Sequence, residues 1–451
     1  MRKRKTRQVV SVFLTAAMTI SIVGCGSVDV NREEDETETL NAEIVANADE
    51  LSKTSEVPKE DQNIYTADAE AAACAITDFG LRLLELGMED ENVVFPAYAS
   101  LSDENVLISP LSILFALTMT ANGARGETLE QMEEVFGMPV SELSSYLADY
   151  RETLPAGDKY KLSMANAIWF TADEHFTVEE DFLQRNRELF QADVYPVHFD
   201  DSALQEINDW VKDNTDGMIP EILDEISDDA VMYLVNALAF DARWQEQYFE
   251  YQVHEGEFNG ADGIVTKVQM MHSSERHYLE DEHATGFLKY YADEKYAFAA
   301  LLPEEGMTVA EYAASLTGER LREILTHPAD AHVNASIPQF GCEYGVEMKE
   351  LLEKMGINEA FNPEKAEFSG LGSSTVGNIY ISRVLHKTFL AVDENGTKAG
   401  AATAVEMSAE GAMEADLVKE VNLDRPFLYL IIDCRDRLPL FIGTVETPKA
   451  P

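Results

Sequence analysis

The chain has 451 residues, 45% of them hydrophobic, and its 83 acidic against 34 basic side chains leave a formal net charge of −49. So large an acidic excess speaks against nucleic acid or an anionic lipid surface as partner, since both would repel it, while the apolar share is ample for a sizeable core. Beyond Cys25 only Cys74, Cys342 and Cys434 remain, an odd number without close spacing, which excludes a fully paired disulfide framework and predicts buried thiols.

Arg2, Lys3, Arg4, Lys5 and Arg7 form a basic head. The apolar run that follows, VVSVFLTAAMTISIV, falls short of the roughly 20 residues of a spanning helix. The tetrapeptide Ile22-Val23-Gly24-Cys25 resembles a bacterial lipobox, so residues 1–25 are expected to be a lipoprotein signal peptide, with Cys25 becoming the lipid-bearing N-terminus. Residues 26–67, with NREEDETETLNAE and few aromatics, cannot bury enough apolar surface to offset chain entropy and are expected to be an acidic disordered tether. The expected location is the extracellular face of a bacterial cell envelope, lipid-anchored or released, with the lipid on Cys25 as the only membrane contact.

The remainder, 68–451, is within reach of one large mixed domain. AEAAACAITDFGLRLLELGM, from Ala69, has helical apolar spacing. Ser109-Pro110 is a helix start, serine as N-cap and proline in the first turn, followed by LSILFALTMTANGA. A third helix is expected near Gly126. SMANAIWF, from Ser163, suits a buried strand, and residues 205–222 (QEINDWVKDNTDGMIPEI) suit a helix, a turn and a short helix. VMYLVNALAF, from Val231, predicts a core strand, with a buried helix as the alternative. Between Phe258 and Leu302 lie several short β-like runs (VTKVQMM, GFLKYY, YAFAALLP). IPQF then leads into an expected helix, VEMKELLEKMG, and IYISRVLHKTFLAVDE predicts a long strand. FLYLIIDC and PLFIGTVETP predict a closing hairpin. Helices first and strands later point to an α+β domain with more than one sheet.

Catalytic constellations are missing from the sequence: there is no G-x-S-x-G, H-E-x-x-H, Gly-rich phosphate loop or C-x-x-C. His175, His198, His254, His272, His277, His283, His327 and His332 are scattered without ligand spacing. No cofactor, metal or enzymatic activity is expected.

The stretch ENGTKAGAATAVEMS, from Glu394, follows the strand ending AVDE. At period two, one set is Thr397, Ala399, Ala401, Thr403, Val405 and Met407, free of charge and growing in size. The other, Lys398, Gly400, Ala402, Ala404, Glu406 and Ser408, includes both Lys398 and Glu406. That is the alternation of a half-buried strand, written in residues of poor strand propensity. The segment can join a sheet without being obliged to start there. A helix over ATAVEMSAEGAMEAD and a flexible surface loop are the competing readings.

Seven segments in order resemble the serpin family over nearly the whole domain: NVLISPLSILFALTMTANGARGETLEQM, ANAIWF, INDWVKDNTDGMIPEIL, LVNALAFDARW, GVEMKELLEKMGINEAF, HKTFLAVDENGTKAGAATAVEM and LDRPFLYLIIDCRDRLPLFIGTVETP. The resemblance implies about nine helices, three β-sheets and an exposed reactive loop over roughly 394–424. It implies an inhibitory hinge at Glu394, Gly396 and Thr397, then the small residues Ala399, Gly400, Ala401 and Ala402, then Thr403. Lys398 departs from the family's usual acidic residue, but on the outward set. The resemblance further implies that Ser109, Ser112, Asn236 and His386 form a polar cluster that controls strand separation, and that Trp244 lies where the loop enters the sheet. Local capping and core packing account equally for these residues taken singly.

The implied function is inhibition of a serine-type endopeptidase, trapped as a covalent acyl complex by a monomeric inhibitor; a non-inhibitory serpin acting as a surface binding module is the alternative. Counting from Gly396 places the scissile bond between Glu410 and Gly411, and counting back from Pro426 places it nearer Ala415, so Ala412 and Met413 are also candidates. Ala412 or Met413 would suit elastase-, subtilisin- or chymotrypsin-like pockets, and Glu410 a Glu-directed one.

Overall fold

The structure is a computed structural model that describes residues 67–89, 105–154, 160–227, 230–397 and 418–450. Cys25, Lys398, Ala399, Gly400, Ala401, Ala402, Thr403 and the scissile-bond candidates Glu410, Gly411, Ala412 and Met413 lie outside the described residues.

Nine α-helices occur among the described residues: α1 (Ala67–Glu89), α2 (Pro110–Ala121), α3 (Gly126–Phe136), α4 (Val140–Glu152), α5 (Glu180–Phe190), α6 (Asp201–Asn214), α7 (Val309–Ser315), α8 (Gly318–Thr326) and α9 (Lys349–Met355). The Ser109 hydroxyl caps α2 by accepting from Ser112 N–H, and Pro110 opens the first turn where its missing donor costs nothing. Every residue of α2 except Ala116 is buried, which explains a helix apolar all round: it runs through the centre of the domain.

The main sheet contains β1 (Tyr160–Thr171), β2 (Asp193–Val197), β3 (Met232–Arg243), β4 (Phe340–Glu347), β5 (Leu385–Val392) and β6 (Gly396–Thr397), in the spatial order β4-β5-β6-β3-β1-β2. A nine-stranded sheet is built around the C-terminal hairpin of Phe427–Asp433 with Leu438–Val445, and a two-stranded one pairs Phe176–Val178 with Gly372–Ser374. The α+β expectation of about nine helices and three sheets holds.

The uninterrupted apolar run in β3 has a physical cause: the strand is covered on both faces. Leu238, Phe240 and Ala242 belong to the large core, whereas Val235 and Ala237 pack with Ile207 and Val211 of α6 in a second cluster.

Three local expectations need correction. No helix forms over residues 218–222, which hold Pro220. The Ile222 and Leu223 N–H groups donate instead to Asn208 Oδ1, at 2.8 and 2.9 Å. The helix expected from Val346 begins at Lys349, because Val346 and Glu347 are paired with His386 and Leu385. The strand expected from Ile379 begins at Leu385, because its partner β4 ends at Glu347 and leaves nothing to continue the ladder. Among the described cysteines only Cys342 is buried as expected; Cys74, inside α1, and Cys434, just past the strand Phe427–Asp433, are half-buried free thiols.

Candidate functional site: an open slot in the main sheet

Strands β3 and β5 run parallel with a place for one strand between them. Among the described residues only the two of β6 fill it, pairing Thr397 with Val392 on one side, and Gly396 and Thr397 with Arg243 and Ala242 on the other. Below that point no ladder joins β3 to β5 among the described residues. Two parallel strands held one strand-width apart at their head by β6 are a template for a further strand between them.

The top of the slot is closed by a compact set of bonds. Asp393 Oδ1 accepts from Asn395 N–H at 2.7 Å and Gly396 N–H at 3.1 Å, turning the chain out of β5. Trp244 Nε1 donates to Asp393 O at 2.8 Å, its backbone N–H to Asn395 O at 3.0 Å, and Tyr248 N–H to Glu394 O at 3.0 Å. Gln339 Nε2 donates to Glu394 Oε2 at 2.6 Å. A Cβ at Gly396 would lie 2.1 Å from Ala242 O, so only glycine lets the hinge backbone come this close to β3.

Beneath the slot a polar chain crosses from β5 to β1 through α2. Ser109 N–H donates to His386 Nε2 at 3.1 Å, Ser112 Oγ bonds Asn236 Oδ1, and Asn236 Nδ2 donates to Asn166 Oδ1 at 2.8 Å. Asn166 Nδ2 ends the chain on Phe190 O at 2.9 Å. Burial pushes the His386 imidazole down to about 3, so it is neutral, and because Nε2 accepts, its proton sits on Nδ1. The network ties both walls of the slot to one helix, so separating the walls must stretch or exchange these bonds.

The structure thus brings together Ser109, Ser112, Asn236 and His386 as one network, and places Trp244 against Asp393 and Asn395, beside Glu394, Gly396 and Thr397. Of the loop expected over 394–424, the structure describes the two ends. Glu394–Thr397 is anchored, and Val418–Asn422 is a strand parallel to Ala329–Pro338, because its backbone finds a ladder from His332 to Ser336. Twenty residues, 398–417, separate the two anchors. Sequence reasoning missed Asn166, Tyr248, Tyr291 and Gln339. A polar residue inside the buried run SMANAIWF was a usable signal for Asn166; the other three carry none. Of the scattered histidines, His254 and His272 approach each other with ring centroids 5.8 Å apart, and no group of three or more potential metal ligands assembles among the described residues.

Residues 76–448 match the family described as "Serpin (serine protease inhibitor)". The leukocyte elastase inhibitor of Equus caballus is 29% identical over 364 residues, 76% of this chain and 93% of that protein. The thermophilic serpin tengpin in its native state is 42% identical with a TM-score of 0.76, covering 88% of this chain and 98% of tengpin. Tengpin in its latent state gives 42% and 0.72, covering 85% and 100%. With the slotted sheet, the polar chain beneath it and a match over most of its length, this chain belongs to the serpin family.

Proposed function

We propose that this chain is a single-use inhibitor of a serine protease, and that the segment after Thr397 becomes the missing strand of the main sheet once the loop is cut. The observation that carries this reading is the register of β6. Thr397 already pairs with Val392 and Ala242 at the head of a slot otherwise unoccupied among the described residues. Continuing that register sets Ala399 between Leu390 and Phe240, Ala401 between Thr388 and Leu238, and Thr403 between His386 and Asn236. All six neighbours are buried, and His386 and Asn236 fall opposite Thr403, the only hydroxyl among the three. The uncharged alternate set found in the sequence is therefore the set that would face the core, and its small residues fit without displacing the walls.

The chemistry is an interrupted peptide hydrolysis. The protease serine Oγ attacks the loop carbonyl, an acyl ester forms, and the C-terminal fragment leaves with a new amino terminus. Insertion, a strand-addition mode of which serpin loops are a known instance, then drags the esterified protease away before water can cleave the ester. The inhibitor consumes itself and is not an enzyme. The bond attacked lies among Glu410, Gly411, Ala412 and Met413, and an elastase-, subtilisin- or chymotrypsin-like protease suits the apolar candidates. The lipid on Cys25 and the acidic tether would hold the inhibitor at the outer face of a cell envelope, where it meets secreted proteases.

Mixing the protein with a panel of serine proteases tests this directly. An SDS-resistant complex, with a released C-terminal peptide whose mass fixes the cut bond, is the expected result. Clean cleavage without a covalent complex across the panel would overturn it and favour a binding module.

A further inference from the structure

The hinge is held by three aromatic residues, and two of them rest on a buried cation. Trp244 and Tyr248 supply the donors to Asp393, Glu394 and Asn395, and Tyr291 stacks on Trp244 with ring centroids 4.5 Å apart. Lys289, from the strand Ala284–Tyr290, places Nζ 4.5 Å from the Tyr248 ring centroid and 5.5 Å from that of Trp244. The same Nζ is 2.8 Å from Glu275 Oε1, in an ion pair whose side chains are 3% and 13% exposed.

A lysine that serves packing alone would not need to keep its charge in the core, where desolvation is expensive. Burial does push its pKa down, but Tyr248 and Glu275 together hold it above the usual lysine value, so the ammonium is retained. A desolvated cation against aromatic faces is the geometry in which cation–π attraction is strongest. Neither Lys289 nor Glu275 touches the hinge through any described hydrogen bond; both act one layer behind the groups that do.

We propose that Lys289, backed by Glu275, is a positioning residue for hinge insertion: it fixes the Trp244 and Tyr248 rings so that their N–H groups hold residues 393–395 and feed Gly396 and Thr397 into the slot. This rests on the inhibitory reading above. Without the cation the rings lose a fixed orientation, β6 nucleates insertion less efficiently, and more of the acyl ester is hydrolysed before the protease is displaced.

The test compares the full chain with three variants: Lys289→Met, Lys289→Arg, and the double variant Lys289→Met with Glu275→Leu, which removes the ion pair without leaving a lone buried carboxylate. The readouts are the number of inhibitor molecules consumed per protease trapped, and amide hydrogen exchange at Trp244 and Tyr248. Both methionine variants are expected to consume about 3- to 10-fold more inhibitor and to exchange faster at the two amides, while the arginine variant behaves as the parent. Should the methionine variants fail to fold, Lys289→Gln replaces them with the same outcomes. A folded neutral variant that traps as efficiently as the parent, or an arginine variant as poor as methionine, overturns the proposal. A parent chain that traps no protease defeats the functional reading instead, whereas the exchange at Trp244 and Tyr248 still reports on the positioning role.

Discussion

The Tyr291 hydroxyl lies 2.5 Å from Thr397 Oγ1, and both residues are sealed from solvent. The first inward residue of the hinge is therefore already docked in the core, and its side-chain size and polarity are under direct test. Tyr291→Phe should leave the threonine hydroxyl without that partner and cost about 1–2 kcal/mol of stability. Adding Thr397→Val to it should recover most of the loss. Denaturant melts of the two single variants and the double variant would show the coupling.

Thr397→Arg is a harsher change. It would place a guanidinium where the residue is 1% exposed, against Tyr291 and between β3 and β5. The hinge should be expelled, and the protein should be cleaved as a substrate instead of forming a complex. Titration of protease with inhibitor checks this, and an unchanged stoichiometry would count against the insertion mechanism.

Gly396→Ala should fail for steric reasons alone, since the new Cβ would meet Ala242 O at 2.1 Å and Arg243 Cα at 2.7 Å. Relief requires β6 to leave the slot, at a cost of about 1–3 kcal/mol. A lowered melting temperature in calorimetry is the expected result for the uncut protein, and for the cleaved form as well, since insertion keeps Gly396 beside Ala242.

His386 makes the slot sensitive to acid. Its folded pKa of about 3 lies below the reference value of 6.5, so the unfolded chain binds the proton first. Stability from this group is unaffected above about pH 6.5 and falls as pH drops from there towards 3, by up to about 1.4 kcal/mol per unit. His386→Gln should flatten that part of the stability–pH curve measured by urea denaturation.

Asn236→Ala would break the polar chain in its middle, stranding Ser112 Oγ and Asn166 Oδ1 beneath the sheet. A loss of about 2–3 kcal/mol is expected, with easier separation of β3 from β5. Incubation at moderate temperature followed by native gel electrophoresis would reveal the variant converting to inactive forms sooner than the parent.

Much of the fold was legible in local chemistry. Ser109-Pro110 announced α2 through capping and a fixed φ, and the alternation after Glu394 marked a segment able to form a strand. The failures have a common origin. Ile379–Val384 has strand composition, yet β5 begins at Leu385 because β4 ends opposite it. Val346 and Glu347 look helical but are held in a ladder by His386 and Leu385. A period in sequence records what a segment can do, and the neighbouring strand decides what it does.

The sequence by itself determined the family and the α+β class, and named Ser109, Ser112, Asn236 and His386 of the buried polar chain, because capping and ordered motifs are written in near neighbours. Only the tertiary structure decided where the sheet stands open and which groups guard it. Tyr291 with Lys289, Gln339 and Asn166 come to the slot region from three distant stretches of chain. Their roles depend on burial and on hydrogen bonds across long loops, and neither leaves a periodic trace in the order of residues.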